Sequence, residues 1–230
     1  MIKTGIRVVA FDADDTLVDT RNAVTAGLSA VVAQLNEAKL SVELFREDAN
    51  EHWHRMAERP ATEIRTAATR FTLARVGREA ETEAIVELFF DVRFANSRPF
   101  PGVVDVLGKL RSDYRLGYAT NGSSRSERCG LAGMFDFELY AIVDGVPKKP
   151  AESFYRKMIT LSGAAPEEIV YVGDNYEHDV VGPKSLGMRA VWLNRGQAEI
   201  KTEIKAEVPG EVKPDAVVEN LMDLPRILAW

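Results

Sequence analysis

Residues 8–18 read VVAFDADDTLV, a near-continuous apolar run that ends in the aspartates Asp12 and Asp14. The apolar residues before Asp12 are typical of a central strand that is buried on both faces of a parallel sheet. Ligands of such sheets bind beyond the carboxyl ends of the strands, which is where Asp12 lies. This stretch therefore predicts an α/β fold with a parallel sheet and a functional site that contains Asp12.

Asp12 and Asp14 are two positions apart, so a turn after Asp12 would bring both carboxylates into one small volume. Crowded carboxylates repel each other, and such a site either binds a divalent cation or raises the pKa of one acid. Magnesium suits the first case because it prefers hard oxygen ligands and keeps places for water and phosphate oxygens. The alternative is a structural role, with Asp14 or Asp15 as the N-terminal cap of a helix.

The composition of the 230-residue chain is ordinary for a globular protein, with 46% hydrophobic and 28% charged residues. The formal net charge of −6 argues against a nucleic-acid partner, which needs positive charge to neutralise phosphates. No stretch approaches the roughly 20 apolar residues of a membrane-spanning helix, and the N-terminus lacks the pattern of a signal peptide. The single cysteine, Cys129, cannot form an internal disulfide, so we expect a packed thiol in a cytoplasmic protein. Nothing in the composition indicates the oligomeric state.

The segment from Thr20 to about Phe94 is predicted to be helical, and strand signals are almost absent from it. Its apolar residues recur at the three- and four-residue spacing of amphipathic helices. Two interior helices, at 43–58 and 62–76, are separated by Pro60. Four helices with short connections indicate an antiparallel bundle that is inserted directly after the first strand.

After Arg98, short apolar strands alternate with helices, which is typical of a doubly wound parallel sheet with helices on both faces. We expect a core domain of residues 1–18 and 99–230 and a helical domain of residues 19–98. Residues 195–214 are charged and lack a clear period, so we interpret them as a surface excursion. The predicted core elements are strand 6–11, helix 103–110, strand 115–119, a helix capped by Ser123 or Ser124 that runs towards Leu131, strand 139–143, helix 152–161, strand 169–172, a helix to about Leu186, and strands 190–193 and 216–218.

Three other predicted strand ends carry polar groups. One strand is followed by TNG, which offers a hydroxyl, an amide and an unhindered backbone N–H to an anion. The segment GVPKKP supplies a lysine at the head of a helix, where a cation gains little from the helix dipole. Another strand ends in GDNYEHD. Each group alone also has a structural explanation, but together they predict a site at one sheet edge that contains Asp12, Asp14, Thr120, Asn121, Gly122, Lys148 or Lys149, Asp174 and Asp179.

This ordered set of motifs resembles the haloacid dehalogenase-like superfamily of hydrolases, in its phosphatase branch with a four-helix cap. FDADDTL matches the first motif, TNG the second, Lys149-Pro150 the third and GDNYEHD the fourth, so the resemblance covers nearly the whole chain. The usual glycine after the second aspartate of the first motif is Asp15 here, and both catalytic positions are intact. Because the family places its lysine directly before proline, the resemblance favours Lys149 over Lys148.

The resemblance implies magnesium-dependent hydrolysis of a small phosphorylated metabolite. Asp12 would attack phosphorus and become an aspartyl phosphate, and Asp14 would protonate the leaving oxygen and later activate water. The residues implied for phosphate binding are Thr120, Asn121, Gly122 and Lys149, the last of which is also catalytic. The residues implied for Mg²⁺ are Asp12, Asp174, the backbone carbonyl of Asp14, and Asp179 either directly or through Lys149.

The helical segment would then be a cap that closes over the site and shapes the pocket of the leaving group. His52 and His54 point to nearly opposite sides of a helix, which argues against a metal pair and favours packing or solvation. An anionic leaving group has several candidate partners, which the sequence does not rank, namely Arg21, Arg46, Arg55 and Arg70. Sugar phosphates, nucleoside monophosphates and phosphoglycolate all remain admissible substrates.

Two other functions compete with phosphate ester hydrolysis. A 2-haloacid dehalogenase uses the same aspartate to displace halide, but it needs neither a metal nor an acid for the leaving group. Asp14 and Asp174 would then have no purpose. A regulatory domain that accepts phosphate on an aspartate has no use for a long helical insertion, although a catalytically silent relative remains an alternative.

Overall fold

A parallel sheet of six strands forms the centre of the described part of the molecule, in the order β3-β2-β1-β4-β5-β6. The structure is a computed structural model that describes residues 5–195 and 212–228. The predicted surface excursion at 195–214 lies almost entirely outside the described residues. The predicted α/β class with a parallel sheet is confirmed. The strands are β1 (Val8–Phe11), β2 (Arg115–Thr120), β3 (Phe137–Tyr140), β4 (Ile169–Gly173), β5 (Arg189–Leu193) and β6 (Ala216–Val218).

The central strand β1 is buried on both faces, as its apolar sequence predicts. Val9 and Phe11 pack into one hydrophobic cluster, and Val8 and Ala10 pack into another on the opposite face. This follows from the alternation of side chains along a strand. Helices α5 and α8 contribute to the first cluster and α6 to the second. The core helices are α5 (Val103–Leu110), α6 (Glu152–Ser162), α7 (Gly182–Ser185) and α8 (Leu224–Leu228).

Four helices between β1 and α5 form a hydrophobic cluster of their own, with Leu28, Phe45, Leu73 and Phe89 among its buried members. Helix α1 packs on α4, and α2 packs on α3. The predicted insertion of a helical bundle after the first strand is therefore confirmed. None of the helices in the described ranges is both long and apolar enough to cross a membrane. The four helices are α1 (Thr20–Leu35), α2 (Val42–Arg55), α3 (Ala61–Ala74) and α4 (Thr82–Asn96).

The chain enters and leaves the helical block at one place. The backbone N–H of Asp19 donates to the carbonyl of Arg98 at 3.0 Å, and that of Phe100 donates to the carbonyl of Leu17 at 2.9 Å. These paired connections tie the two crossings together beside the end of β1. We propose on this basis that residues 19–98 form a cap domain and that residues 1–18 and 99–230 form the core domain.

Two predicted elements are wrong in detail. The helix from Ser123 or Ser124 towards Leu131 is absent, and only a short 3₁₀ turn, Ser126–Arg128, forms there. Gly130 and Gly133 follow it with φ of 77° and 70°, which a helix cannot accommodate.

The strand predicted at 139–143 also ends early, at Tyr140. Ile142 has φ of 68°, and the Asp144 carboxylate accepts a hydrogen bond of 2.7 Å from the Tyr140 N–H, which closes a turn. The helix predicted to end near Leu186 is present as a π-helical turn, Glu177–Val181, that continues into α7.

Candidate active site

Asp12 directly follows β1, and its backbone N–H donates to Val172 of the neighbouring strand at 2.9 Å. The Nζ of Lys149 donates to Asp12 Oδ1 at 2.7 Å, to Asp179 Oδ1 at 2.7 Å and to the Tyr171 hydroxyl oxygen at 2.9 Å. The structure thus brings together an aspartate, a lysine and a second aspartate that lie far apart in sequence. All three side chains are buried at the edge of the sheet.

Asp179 is fully buried, and both of its carboxylate oxygens accept hydrogen bonds. Oδ1 accepts from Lys149, and Oδ2 accepts from the backbone N–H of Asn175 at 2.9 Å. A Cβ added to Gly173 would lie 2.3 Å from the Asp179 Cγ, so only glycine fits before Asp174. Gly173 of the fourth motif therefore leaves space for the Asp179 side chain at the end of the strand, where it accepts the hydrogen bond from Lys149.

Asp12, Asp174 and Asp179 form a carboxylate cluster, with one oxygen of each within 4.8 Å of the others. Burial, with contributions from Asp179 and Asp174, raises the pKa of Asp12 to about 8 despite the opposing effect of Lys149. Burial and the nearby Asp179 and Asp15 raise the pKa of Asp174 to about 6, against a hydrogen bond of 3.2 Å from the Thr16 hydroxyl. A divalent cation with a preference for hard oxygen ligands fits this donor set, because it would stabilise the ionised carboxylates.

The two adjacent lysines have different surroundings. Burial lowers the pKa of Lys149, but the effects of Asp12 and Asp179 outweigh it and raise that pKa well above its usual value, which favours the charged form. Lys148 Nζ lies 4.9 Å from the ring centre of Trp53 and has no hydrogen-bond partner within the described ranges. Lys149, rather than Lys148, is therefore the lysine that contacts Asp12.

Asp14 lies apart from the carboxylate cluster. Its Oδ1 accepts from the Thr20 hydroxyl at 2.8 Å and from the Ser124 hydroxyl, and Arg93 Nη2 lies 3.8 Å away. A Cβ added to Gly122 would lie 2.0 Å from Asp14 Oδ2, which explains the need for glycine in TNG. Because its side chain is engaged here, any contribution of Asp14 to a metal site rests on its backbone carbonyl.

The TNG segment also organises the lysine. The Asn121 side chain accepts from the backbone N–H of Lys149 at 2.7 Å and donates to the Lys149 carbonyl at 2.9 Å. The Gly122 N–H donates to the buried Thr120 hydroxyl oxygen at 3.0 Å, which leaves the hydroxyl proton for another acceptor. Asn121 thus positions Lys149 through its amide, so its predicted role in phosphate binding rests on its backbone.

Asp15, which replaces the family's usual glycine, has φ of 59°. Aspartate tolerates this left-handed conformation better than most residues. Its carboxylate accepts from the backbone N–H and the Nε of Arg21, both at 3.2 Å. The departure from the family pattern is therefore accommodated, and it links the first loop to the start of α1.

Several other side chains turn out to be structural. His52 Nδ1 donates to the Asp48 carbonyl at 2.7 Å, while His54 is exposed. Cys129 is fully buried, and burial raises the pKa of its thiol to about 11, which makes it a poor nucleophile. Arg55 and Arg70 are exposed and pair with Glu51 and Glu83, whereas Arg21 and Arg46 line a cavity between α1 and α2.

Sequence reasoning missed several residues of the site. Thr16 lies within the first motif, and this position could have indicated that its hydroxyl contacts a site residue, here Asp174. Ser124 was singled out as a helix cap rather than as a partner of Asp14. Tyr171 and Arg93 had no sequence signal, because nothing in the local pattern shows that they contact Lys149 and approach Asp14.

A family model of haloacid dehalogenase-like hydrolases matches residues 6–187, from the first strand through the fourth motif. The chain belongs to the haloacid dehalogenase-like hydrolases. It is therefore a hydrolase, and the motifs that carried the resemblance lie at one edge of the sheet in the structure.

Individual haloacid dehalogenase-like proteins match the chain over almost its full length. It is 28% identical to a glyceraldehyde 3-phosphate phosphatase of Methanopyrus kandleri, over 97% of this chain and 99% of that one. It is 26% identical to the N-acylneuraminate-9-phosphatase of Mus musculus, over 97% and 94% of the two chains. The crystal structure of a 2-haloacid dehalogenase from Pseudomonas syringae pv. Tomato DC3000 matches with a TM-score of 0.75 and 28% identity, over 97% and 98%. The chain is thus similar in sequence to two phosphatases, and similar in sequence and fold to a dehalogenase.

Proposed function

We propose that the protein is a magnesium-dependent phosphatase that hydrolyses a small phosphate monoester through an aspartyl phosphate on Asp12. The observation that carries the proposal is the separation of two carboxylates into different environments. Asp12 lies in the buried carboxylate cluster beside Lys149, whereas Asp14 is 28% exposed and bonded to hydroxyls. Different environments suit different roles for two acids in one site. The two relatives named above as phosphatases support the same reaction class.

Asp12 is proposed as the nucleophile because its carboxylate stands at the strand end with Oδ1 held by Lys149. In the first step an Asp12 oxygen bonds to phosphorus while the bond to the leaving oxygen breaks. Lys149 and the Thr120 hydroxyl are proposed to stabilise the phosphate oxygens as charge develops on them. Asp179 and Asn121 position Lys149 for this role from its side chain and its backbone.

We propose that Asp12, Asp174 and the backbone carbonyl of Asp14 would hold magnesium, with the carboxylate cluster as the supporting observation. Asp179 is proposed to act through Lys149, because both of its oxygens already accept hydrogen bonds. When bound, the cation supplies positive charge that offsets the repulsion between the Asp12 carboxylate and an anionic phosphate.

Asp14 is proposed as the general acid and base. Protonated, it gives its proton to the leaving oxygen; ionised, it then takes a proton from the water that attacks the phosphorus of the aspartyl phosphate. Its hydrogen bonds to Thr20 and Ser124 fix its orientation towards a cavity between the core and the cap.

Replacing Asp14 with Asn should lower kcat for p-nitrophenyl phosphate about 100-fold and lower KM with it, because loss of water activation makes hydrolysis of the aspartyl phosphate limiting while phosphate binding is kept. Steady-state kinetics and a single-turnover burst measure both steps. Because p-nitrophenolate leaves without much protonation, the first turnover should remain visible. Wild-type turnover in Asp14→Asn would exclude this role.

The proposed function is tested by phosphate release with magnesium and with EDTA. We expect hydrolysis of p-nitrophenyl phosphate with magnesium, a loss of about 100-fold with EDTA, and recovery on adding magnesium back. Magnesium should also raise Tm, because a cation that binds the folded carboxylates stabilises the fold. Full activity and unchanged Tm in EDTA would contradict the metal assignment.

Dehalogenation is the second candidate, favoured by the similarity to the Pseudomonas syringae dehalogenase. It is tested in parallel by chloride release from 2-chloropropionate. We expect none, because the Asp14 acid and the Asp174 carboxylate would serve no purpose in that reaction. A panel of phosphorylated metabolites ranked by kcat/KM then identifies the substrate, since the two phosphatase relatives are named for different leaving groups.

A further inference from the structure

Arg65 on helix α3 is a buried cation whose polar partner is missing within residues 5–195 and 212–228. It is 8% exposed and makes no hydrogen bond or ion pair with any described residue, and its guanidinium carbon lies 4.4 Å from the ring centre of Phe89. Arg93, the other buried arginine of these ranges, donates to the Ser123 and Ser124 hydroxyls at 2.9 and 3.0 Å. Arg93 thus uses its guanidinium in hydrogen bonds to the core, whereas the guanidinium of Arg65 donates none to a described residue.

Arg65 and Asp14 line the same cavity of 160 Å³ between cap and core. Gly122 and Ser123 line its core side, and Trp53 lines its cap side. A cavity of about 150 Å³ holds a molecule the size of benzene, so a leaving group of a few carbons fits. Because Asp14 is the proposed proton donor to the leaving oxygen, the rest of the leaving group should extend into this cavity.

The charge around Arg65 is positive. Burial and the nearby cations Arg93 and Arg46 lower the pKa of Arg65 to about 10, which still leaves it charged at neutral pH. A second cavity of 270 Å³ shares Trp53 and Arg65 with the first and adds Arg46. A guanidinium pairs well with planar or tetrahedral oxyanions through two parallel hydrogen bonds, so Arg65 offers an anion in these cavities a charged donor that no described residue uses.

We propose that Arg65 binds a second anionic group, a carboxylate or a phosphate, on the leaving group of the substrate. The inference rests on the proposed phosphatase function, since it takes the leaving group to lie next to Asp14. It narrows the substrate class to phosphate monoesters that carry another anion a few bonds from the ester oxygen. Arg65 is then a specificity-determining residue, and the aromatic ring of Phe89 holds its guanidinium in place.

The test compares esters that differ only in this anion. 3-Phosphoglycerate carries a carboxylate where glycerol 3-phosphate carries a hydroxymethyl group, and glycerol 1,3-bisphosphate carries a second phosphate ester at that carbon. We expect the wild-type enzyme to prefer one or both of the esters that carry a second anionic group. Arg65→Gln should lower kcat/KM for the preferred ester by about 10- to 100-fold, as loss of a charged hydrogen bond does. The preferred ester shows whether the group is a carboxylate or a phosphate.

Two further variants, Arg65→Lys and Arg59→Gln, and a measurement on glycerol 3-phosphate separate loss of anion binding from a general loss of activity. Arg65→Gln should change kcat/KM for glycerol 3-phosphate by no more than about threefold, and Arg65→Lys should regain part of the preference by restoring the charge without the planar fork. Arg59→Gln is the matched control, because Arg59 is exposed and pairs with Glu63. The proposal would be overturned if Arg65→Gln lowered kcat/KM equally for glycerol 3-phosphate and for the esters with a second anionic group. It would also be overturned if wild type showed no preference between them.

Binding without turnover separates this proposal from the proposed function. Asp12→Asn is titrated by isothermal calorimetry with 3-phosphoglycerate, the bisphosphate and glycerol 3-phosphate. At least one of the first two, which carry a second anionic group, should bind at least about tenfold more tightly than glycerol 3-phosphate. The difference should vanish when Arg65→Gln is added. If no ester is hydrolysed but this difference is found, the phosphatase proposal fails and the anion site stands. Equal affinities would overturn the anion site even in an active phosphatase.

Discussion

Replacing Asp12 with Asn should reduce phosphate release by a factor on the order of 10⁴ or more, because a carboxamide cannot act as the nucleophile. The measurement is p-nitrophenyl phosphate hydrolysis with saturating magnesium. Asp105→Asn is the matched control, since Asp105 is an exposed carboxylate on helix α5. The control should retain activity within about threefold of wild type.

The same variant also tests whether the loss is chemical rather than structural. Burial favours the neutral form of Asp12, the Asn amide oxygen can still accept from Lys149, and Asp179 still balances the lysine charge, so Asp12→Asn should leave the fold intact. Tm should therefore not fall. Acid quenching during turnover should trap phosphate on the wild-type chain and none on Asp12→Asn. Undiminished hydrolysis by Asp12→Asn would refute covalent catalysis at this residue.

Local sequence patterns predicted the parallel strands that frame the candidate site. The apolar run before Asp12 required a buried central strand, and parallel strands bring their carboxyl ends to one edge whatever the rest of the chain does. The positions of Asp12 and Asp174, each directly after a strand, follow from that geometry. Even the two motif glycines have a simple reason, because a Cβ at Gly122 or Gly173 would collide with an aspartate.

The contacts between the cap and the core were beyond local patterns. Arg65 and Arg93 are separated in sequence and come from different helices, and only the packing of α3 and α4 over the core directs both to Asp14's cavity. Exposed arginines such as Arg70 looked equally able to bind an anion in the sequence. The distinction depends on burial and partners, which the sequence does not contain.

Besides the positive φ angles described above, hydrogen bonds of polar side chains compete with secondary structure at the elements that were wrong. Ser124 has the chemistry of a helix cap, but its hydroxyl is used by Asp14 and Arg93. The Asp144 carboxylate similarly binds the Tyr140 N–H and ends β3 before the apolar residues run out. A polar side chain with a long-range or turn partner thus overrides the local preference.

Replacing Lys149 with Met should lower kcat/KM for p-nitrophenyl phosphate about 1000-fold, the upper end for loss of one donor to developing charge. The effect is large because one Nζ contacts Asp12 and Asp179 and is the proposed donor to phosphate. Lys148→Met is the adjacent control. Since Lys148 packs on Trp53, its loss should lower kcat/KM less than about tenfold.

Lys149→Met should also change how stability depends on pH. Without the lysine, two buried carboxylates lose their cation, and removing one partner of a buried pair costs about 3 to 5 kcal/mol. In the folded variant Asp12 keeps a proton that the unfolded chain releases above about pH 4, so stability falls as pH rises through neutrality. The drop in Tm relative to wild type should therefore be larger at about pH 8 than at about pH 6, measured without magnesium. A pH-independent drop, or a greater loss of activity in Lys148→Met, would show that Lys149 is not the cation that balances Asp12 and Asp179.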